Sequence, residues 1–223
     1  MSRPICRRSL MPVIVLVLFL CDQRPASSAD PAQPIEVDLF QAVEAGQIEA
    51  KVIAKSTKEA RIIVKNNTDK PLTVKMPDGF AAMPILAQQQ AGGGGGVAFN
   101  VPPEKVAAQD VPIVCLEHGK RDPRAAAKYE LRPIREFTTD GRVIEVLKML
   151  GEGQVSQPAA QAAAWHLLDG LSWQELASKQ VKRLAGVSES FFSAAHIREA
   201  MQATMVAAER AKDQPVASPG TGQ

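Results

Sequence analysis

The sequence is poor in aromatic residues, in cysteine and in net charge. Phe, Trp and Tyr together make up 4% of the 223 residues, and the formal net charge is only +2. A chain so close to neutral lacks the basic surface typical of nucleic-acid-binding proteins, so no nucleic-acid partner is expected. Apolar residues at 45% and charged residues at 22% are ordinary for a globular protein, which excludes global disorder.

Long hydrophobic runs are also missing. The apolar run at positions 13–21 has nine residues, whereas a helix needs roughly 20 apolar residues to span a bilayer. Three arginines precede this run, and small residues follow it at the −3 and −1 positions of a peptidase site ending at Ala29. This three-part pattern predicts a signal peptide over residues 1–29. A lipid anchor at Cys21 is disfavoured, because Leu20 is too bulky for the preceding position.

The predicted signal peptide determines the expected location of the protein and the composition of the mature chain. The mature protein is expected to be periplasmic, on the cell surface or secreted, with no stable membrane span, and the style of the signal indicates a bacterial source. Removal of the signal leaves 194 residues with 22 basic and 23 acidic side chains. It also leaves Cys115 as the only cysteine. An internal disulfide is therefore excluded, and a lone thiol in an oxidising compartment needs an explanation.

Common catalytic and cofactor motifs are absent. The sequence contains no Gly-x-Ser-x-Gly, no P-loop and no dinucleotide-binding fingerprint. The three histidines, His118, His166 and His196, show no paired spacing of the kind that metal sites use. No catalytic residue, metal or cofactor is therefore expected, and the protein is predicted not to be an enzyme.

The order of the patterns predicts an α+β fold in which an N-terminal antiparallel β-domain precedes a small helical region. The β-domain is expected over residues 30–116 as a sandwich-like structure. The region 117–212 is expected to be mainly helical, and residues 213–223 to form a disordered tail. These boundaries follow from the change in hydrophobic period after Pro123.

Two local predictions concern the β-domain. Segments 61–65 and 72–76 read as strands, and the turn-rich stretch 66–71 between them predicts a hairpin. The segment 88–96 (QQQAGGGGG) costs much entropy to order and predicts a flexible loop.

Helical signals follow one another in the second half. Helices are predicted over 142–150 and over 158–169, the latter with proline in its first turn and Gly170 after its end. Ser172 and Glu175 have the spacing of a capping box, predicting a helix to about residue 184. A last helix, capped by Ser193, carries a predicted buried stripe of Ile197, Met201, Thr204, Met205 and Ala208.

One pair of residues suggests a covalent reaction. Cys115 lies at the end of an apolar strand in the segment VCLEHG (114–119), and Gln161 follows in the helical segment AQAAAW (160–165). Together with the preceding VIEVLKMLG (143–151), this pair resembles the thioester domains of bacterial surface adhesins. The resemblance covers roughly residues 113–170.

The resemblance implies a Cys115–Gln161 bond. In such domains the cysteine sulfur bonds to the glutamine side-chain carbonyl with loss of ammonia, and a nucleophile then opens the thioester. This implies an exported adhesion module that attaches covalently to a surface protein or polysaccharide. Trp165, at i+4 from Gln161, shares its helix face and is a candidate for shielding the bond. His118 is a candidate for activation.

Two other interpretations remain open. Cys115 could be a small buried hydrophobic residue in a non-enzymatic exported structural or protein-interaction domain. It could also be a redox-sensing thiol, which requires a lowered pKa. A thioester brings the side chains of Cys115 and Gln161 into bonding contact, whereas a scaffold has no need to bring these residues together.

Overall fold

The structure is a computed structural model that describes residues 33–85, 91–94, 96, 98–182 and 188–212. The predicted signal peptide at 1–29 and the predicted tail at 213–223 lie outside the described residues. The strands and helices are, in chain order, β1 (Ile35–Asp38), α1 (Leu39–Glu44), β2 (Ile48–Ala54), β3 (Glu59–Asn66), β4 (Leu72–Lys75), β5 (Phe80–Pro84), β6 (Ala91–Gly93), β7 (Ala98–Val101), β8 (Val106–Cys115), β9 (Tyr129–Pro133), α2 (Gly141–Gly151), α3 (Gln157–Asp169), α4 (Trp173–Ser178), β10 (Gln180–Lys182), β11 (Ser188–Ser190) and α5 (Ala194–Lys212). The predicted α+β class is confirmed.

Six antiparallel strands close into a barrel in the order β2-β3-β8-β6-β5-β9. In β3, buried Ala60, Ile62 and Val64 alternate with more exposed residues, because successive side chains of a strand point to opposite faces. The expected sandwich-like form is therefore corrected to a barrel. Strand β9 closes the barrel, so the β-structure continues beyond the predicted boundary at residue 116.

A second sheet has three strands in the order β1-β4-β7. Strand β1 pairs with β4 in parallel, whereas β4 and β7 are antiparallel. The predicted wholly antiparallel β-domain is thus wrong at this pair. A parallel pair needs a long connection, and here the chain from β1 to β4 runs through α1 and two strands of the barrel.

The predicted hairpin across residues 66–71 does not form. Both edges of β3 are occupied by the long strands β2 and β8, so β4 finds its partners in the other sheet. Asn66, the last residue of β3, fixes the path of the chain from β3 to β4. Its fully buried side-chain amide donates to the carbonyls of Lys70 and Val101. A turn-rich sequence therefore marks a change of sheet and not a hairpin.

The predicted flexible loop at 88–96 is wrong at Ala91–Gly93, which forms the buried barrel strand β6. Glycine is required there because neighbouring side chains lie very close to the backbone. A Cβ on Gly92 would lie 2.7 Å from Cδ2 of Leu116, and a Cβ on Gly93 would overlap the ring of Phe80. Large neighbours fill the space that the missing side chains leave, and their burial offsets the entropy cost of ordering glycine.

The helices follow the capping signals closely at their starts. Helix α2 corresponds to the predicted 142–150 helix, and α3 ends at Gly170 in the left-handed conformation (φ 71°), as predicted. The Ser172–Glu175 capping box is present. Helix α4 nevertheless ends at Ser178 and not near residue 184, since the chain continues into β10, which pairs with β11.

Helix α5 buries a different stripe from the predicted one. Ile197 is buried as expected, together with Ala200, Ala203 and Ala207. Met201 and Met205 are 42% and 71% exposed, so the prediction is wrong for both. Alanine lets α5 pack closely on α2 and α3, which the longer methionine side chain would prevent.

Two buried clusters result. One fills the barrel and includes Ile62, Phe80 and Ile113. The other lies between the barrel and the helices. It contains Val114 and Cys115 from the end of β8, Leu116 directly after it, and residues of α2, α3 and α5. The end of β8 is therefore the point at which barrel and helices meet.

Candidate functional site

The site begins where β8 loses one neighbour. Strand β3 accompanies β8 only as far as the pair Glu59–Pro112, and the Ile113 amide then donates to the Lys58 carbonyl at 2.9 Å. Beyond this point the backbone groups of β8 on that edge need other partners, since buried polar groups are costly when left unpaired.

Two glutamines of α3 supply these partners. Gln157 Nε2 donates to the Ile113 carbonyl at 2.9 Å. The Gln161 carboxamide pairs twice with Cys115: Oε1 accepts from the Cys115 amide, and Nε2 donates to the Cys115 carbonyl, both at 2.8 Å. Four helix residues rise about 6 Å and two strand residues about 6.6 Å, which explains why the i, i+4 pair on α3 matches an i, i+2 pair on β8.

Cys115 and Gln161, the predicted pair, are thus brought together. The Gln161 side chain is 4% exposed and Cys115 is 7% exposed. The hydrogen bonds join the carboxamide to the cysteine main chain, and both residues line one cavity of about 350 Å³. The carboxamide carbon is the acyl group that thioester chemistry needs, and the fold holds it at the residue that carries the thiol.

The environment keeps Cys115 protonated. Burial raises the pKa of the thiol to about 12, and the nearby Asp122 carboxylate adds to the shift. A redox-sensing thiol needs the opposite shift, because the thiolate is the reactive form. The site therefore suits a cysteine that is buried and kept neutral.

Aromatic side chains surround the pair. Trp165, Phe191 and Phe192 line the cavity, with ring centroids of Trp165 and Phe191 5.4 Å apart. Trp165 is 6% exposed and lies one helical turn beyond Gln161, where the sequence places it. Its shielding role remains a prediction.

His118 lies beside Trp165 in the same cavity, with ring centroids 4.8 Å apart in an edge arrangement. Its main-chain amide donates to Asp169, and its Nε2 is 2.8 Å from Lys179 Nζ. Lys179 Nζ also lies 5.3 Å from the centroid of the Trp165 ring, a cation–π distance. The activating role of His118 likewise remains a prediction.

Sequence reasoning overlooked several residues of the site. Gln157 was recognisable, because it precedes Gln161 by four residues on the same helix. Lys179, Phe191 and His196 reach the cavity from later parts of the chain, and no local pattern marks them. His166 stacks on Trp173 with centroids 4.0 Å apart, and its Nδ1 donates to the Leu171 carbonyl at 2.8 Å.

Comparison with models of protein families, with curated proteins and with solved structures gives no match for this chain. Among the described residues, no helix has the length and apolar character of a membrane span. In the same part of the chain, no group of three or more His, Cys, Asp or Glu side chains is arranged to hold a metal ion. Evidence on function therefore comes from the geometry of the site.

Proposed function

We propose that this chain is an exported covalent-binding module in which Cys115 and Gln161 form an internal thioester. A nucleophile on a surface protein or polysaccharide opens the bond and becomes attached through Gln161. The observation that supports this proposal is the buried carboxamide of Gln161, hydrogen-bonded at 2.8 Å to both main-chain polar groups of Cys115.

Formation of the bond is a single acyl transfer. Because the buried thiol is neutral, its proton passes from Sγ to Nε2 of Gln161 as Sγ attacks Cδ. The S–C bond forms and the C–N bond breaks. The thiol proton leaves on the departing nitrogen as ammonia. Negative charge develops on Oε1 during attack, and the Cys115 amide that already donates to this oxygen stabilises it.

The helix side of the Gln161 environment is apolar, whereas the cavity on the other side carries charged side chains. Ala160, Ala162, Ala163 and Ala164 are fully buried around it on α3. A dry apolar environment slows the hydrolysis of a reactive acyl group. The alanine-rich composition of this helix therefore serves both close packing and the exclusion of water.

Opening of the bond follows the same path in reverse. The nucleophile attacks Cδ, its bond to carbon forms, the C–S bond breaks, and its proton passes to Sγ. The product is an amide or an ester of the Gln161 side chain, with Cys115 restored as a thiol. Three lysines line the cavity, together with the two carboxylates of Glu117 and Asp122. Because positive charges outnumber negative ones there, an attacking amine enters more readily in its neutral form than as an ammonium ion.

The second candidate is a structural or protein-interaction domain without bond-forming chemistry. The observation that favours it is the pairing of Gln157 and Gln161 with the free edge of β8, which has structural value without any reaction. In that case Cys115 is a small buried side chain at the junction of barrel and helices.

Intact-mass measurement separates the two candidates. The mature protein, purified without reductant at mildly acidic pH, is expected to be lighter than its sequence by one ammonia. The Cys115→Ala variant keeps the main-chain groups that Gln161 binds, so it is expected to fold and to have its full sequence mass. Methylamine should then add one methylamine to the wild type alone and release a thiol that alkylates.

A wild type with its full sequence mass, whose Cys115 alkylates completely after unfolding, would exclude the thioester and leave the structural candidate. An amide between Gln161 and Lys179 would also release ammonia, but it would leave the thiol free and would not react with methylamine. The alkylation and methylamine readouts therefore identify which bond has formed.

A further inference from the structure

The side chain of Lys179 is half-buried in the wall of the cavity that contains Cys115 and Gln161. Its Nζ lies 2.8 Å from Nε2 of His118, and within the described part of the chain it forms no ion pair with a carboxylate. An ammonium group carries three N–H donors, so two of them remain after the contact with His118. Because a charge removed from water is normally paired, this group has the capacity to bind an anion.

Two further lysines line the same cavity. Lys58 and Lys120 are exposed, and neither forms an ion pair with any carboxylate among the residues that the structure describes. Glu117 and Asp122, the two carboxylates that line the cavity, thus leave all three lysines without a direct partner. The cavity therefore has an excess of positive charge, which attracts a negatively charged ligand.

Aromatic rings form the neighbouring part of the wall. Phe191 is 39% exposed, and the ring centroids of Trp165 and Phe192 lie 5.4 Å and 4.7 Å from that of Phe191. Nζ of Lys179 lies 5.6 Å from the centroid of Phe191 and 5.3 Å from that of Trp165. An accessible apolar ring therefore adjoins the unpaired ammonium group.

An acidic sugar matches this combination of cation and ring. The C–H face of a pyranose ring covers an aromatic ring, and the removal of this apolar surface from water is favourable. A carboxylate on the same sugar reaches a neighbouring ammonium group and accepts charge-assisted hydrogen bonds. The cavity volume of about 350 Å³ lies near the lower end of the range for small-ligand sites, which suits a group of the size of a monosaccharide.

We propose that this cavity binds an acidic sugar of a surface polysaccharide, with the sugar carboxylate at Lys179 and the sugar ring against Phe191. As the identity of the covalent partner, this inference rests on the proposed function, whereas the binding itself needs no thioester. An acidic peptide also carries carboxylates, but its usual nucleophile is a lysine ammonium group, which the three cavity lysines repel. A sugar hydroxyl is uncharged and enters the cavity without this cost.

The bound sugar supplies the nucleophile of the covalent reaction. Its hydroxyl oxygen attacks Cδ of Gln161, the O–C bond forms, the C–S bond breaks, and the hydroxyl proton passes to Sγ of Cys115. The product is an ester of the Gln161 side chain. Hydroxylamine cleaves an ester, whereas the amide that a lysine would form resists it.

Binding is measured by calorimetry in the Cys115→Ala background, in which no thioester can form. The probes are short oligosaccharides of alginate, polygalacturonate and hyaluronate, each compared with its methyl ester, which retains the sugar rings without the negative charge. Lys179→Met removes the ammonium group and keeps a side chain of similar length. Lys51→Met is the matched control, because Lys51 is exposed on β2 and is not a residue of the cavity wall.

We expect at least one acidic oligosaccharide to bind. Its methyl ester, and the acid itself in the Lys179→Met protein, should bind about 10- to 100-fold more weakly, because each change removes a hydrogen bond between charged groups. Phe191→Leu should also weaken binding, whereas Lys51→Met should bind as the background protein does. The thermal unfolding midpoints of the variants should stay within a few degrees of the background.

Equal binding of the acid and its methyl ester would overturn the carboxylate site, and this comparison requires no variant at position 179. Failure of all three acidic oligosaccharides to bind would overturn it as well. Tighter binding of an acidic peptide than of every acidic oligosaccharide would contradict the assignment to a sugar.

The wild type tests the covalent step separately. A wild type that has lost ammonia should gain the mass of one acidic oligosaccharide, and hydroxylamine should remove this mass. A wild type of full sequence mass would exclude the thioester alone, since binding is measured in a protein that lacks Cys115. A lighter wild type that binds the oligosaccharide without gaining its mass would exclude the ester and leave the binding site.

Discussion

At the scale of single residues, the carboxamide of Gln161 has the most informative environment. An amide side chain carries one acceptor and two donors, and Gln161 uses both kinds of group on the main chain of Cys115. The same bonds that satisfy the end of β8 hold an acyl carbon beside a cysteine. One side chain therefore supports the end of β8 and places a carboxamide carbon beside Cys115.

The raised pKa of Cys115 leads to a prediction on pH. Burial keeps the free thiol of Cys115 neutral well above its ordinary pKa of 9.0. Alkylation of the folded protein by iodoacetamide should therefore be slow at pH 8 and rise with pH toward about 12. The unfolded chain should alkylate faster at pH 8.

The same shift affects stability in one direction. A pKa raised by folding means that the folded state holds the proton more tightly, so the stability from the neutral thiol is present below pH 9.0 and declines as pH rises toward about 12. Cys115→Ala should lack this decline in urea titrations. A folded-state alkylation rate that levels off near pH 9 would contradict the prediction.

At the scale of elements, the junction between β6 and α2 depends on the absence of side chains. Gly94 follows β6 directly, and a Cβ at this position would overlap the main-chain oxygen of Leu147 in α2. A backbone atom cannot move aside as a flexible side chain can. The absence of a side chain at Gly94 therefore lets α2 contact the end of β6.

Gly94→Ala should accordingly destabilise the protein by about 3 kcal/mol or more, because α2 must shift away from the barrel. Gly119→Ala is the matched control: it meets nothing within 4 Å but lies at φ 79°, so it bears only backbone strain of about 1 kcal/mol. Urea unfolding of both variants gives the comparison. Equal losses of stability would show that the contact with Leu147 is unimportant.

Element types and element partners differ in how far they can be predicted. The starts of α2, α3 and α4 follow from caps, proline and glycine, which act within a few residues. The hairpin at 66–71 and the loop assignment at Ala91–Gly93 were wrong, because both depend on neighbours distant in the chain. Strand β3 had better partners in β2 and β8, and β6 was ordered by Phe80 and Leu116.

At the scale of the whole molecule, β8 joins two hydrophobic clusters. Ile113 belongs to the barrel interior, whereas Val114 and Leu116 belong to the cluster shared with the helices. Neither part completes its core without this strand. Barrel and helices are therefore expected to unfold together, even though their sequence patterns differ.

This expectation can be measured in urea. Fluorescence of Trp165 and Trp173 reports the helical part, and hydrogen exchange of β3 amides reports the barrel; the two midpoints should coincide. Val114→Ala, which opens space in the shared cluster, should lower both midpoints by a similar amount, at a cost of about 2 kcal/mol. Loss of the tryptophan signal before β3 exchanges would indicate two independent units.

The candidate residues Cys115 and Gln161 came from the resemblance to the thioester domains of bacterial surface adhesins. Local chemistry predicted the α+β class and the starts of three helices. Those features depend on short-range hydrogen bonding, side-chain entropy and period, which act within a few residues. The barrel, the parallel pair of β1 with β4 and the ordered glycine strand came only from the tertiary structure. The meeting of Gln161 with Cys115 also belongs there, because the packing of α3 against the end of β8 decides it. Long-range packing chooses among partners that local sequence leaves equivalent.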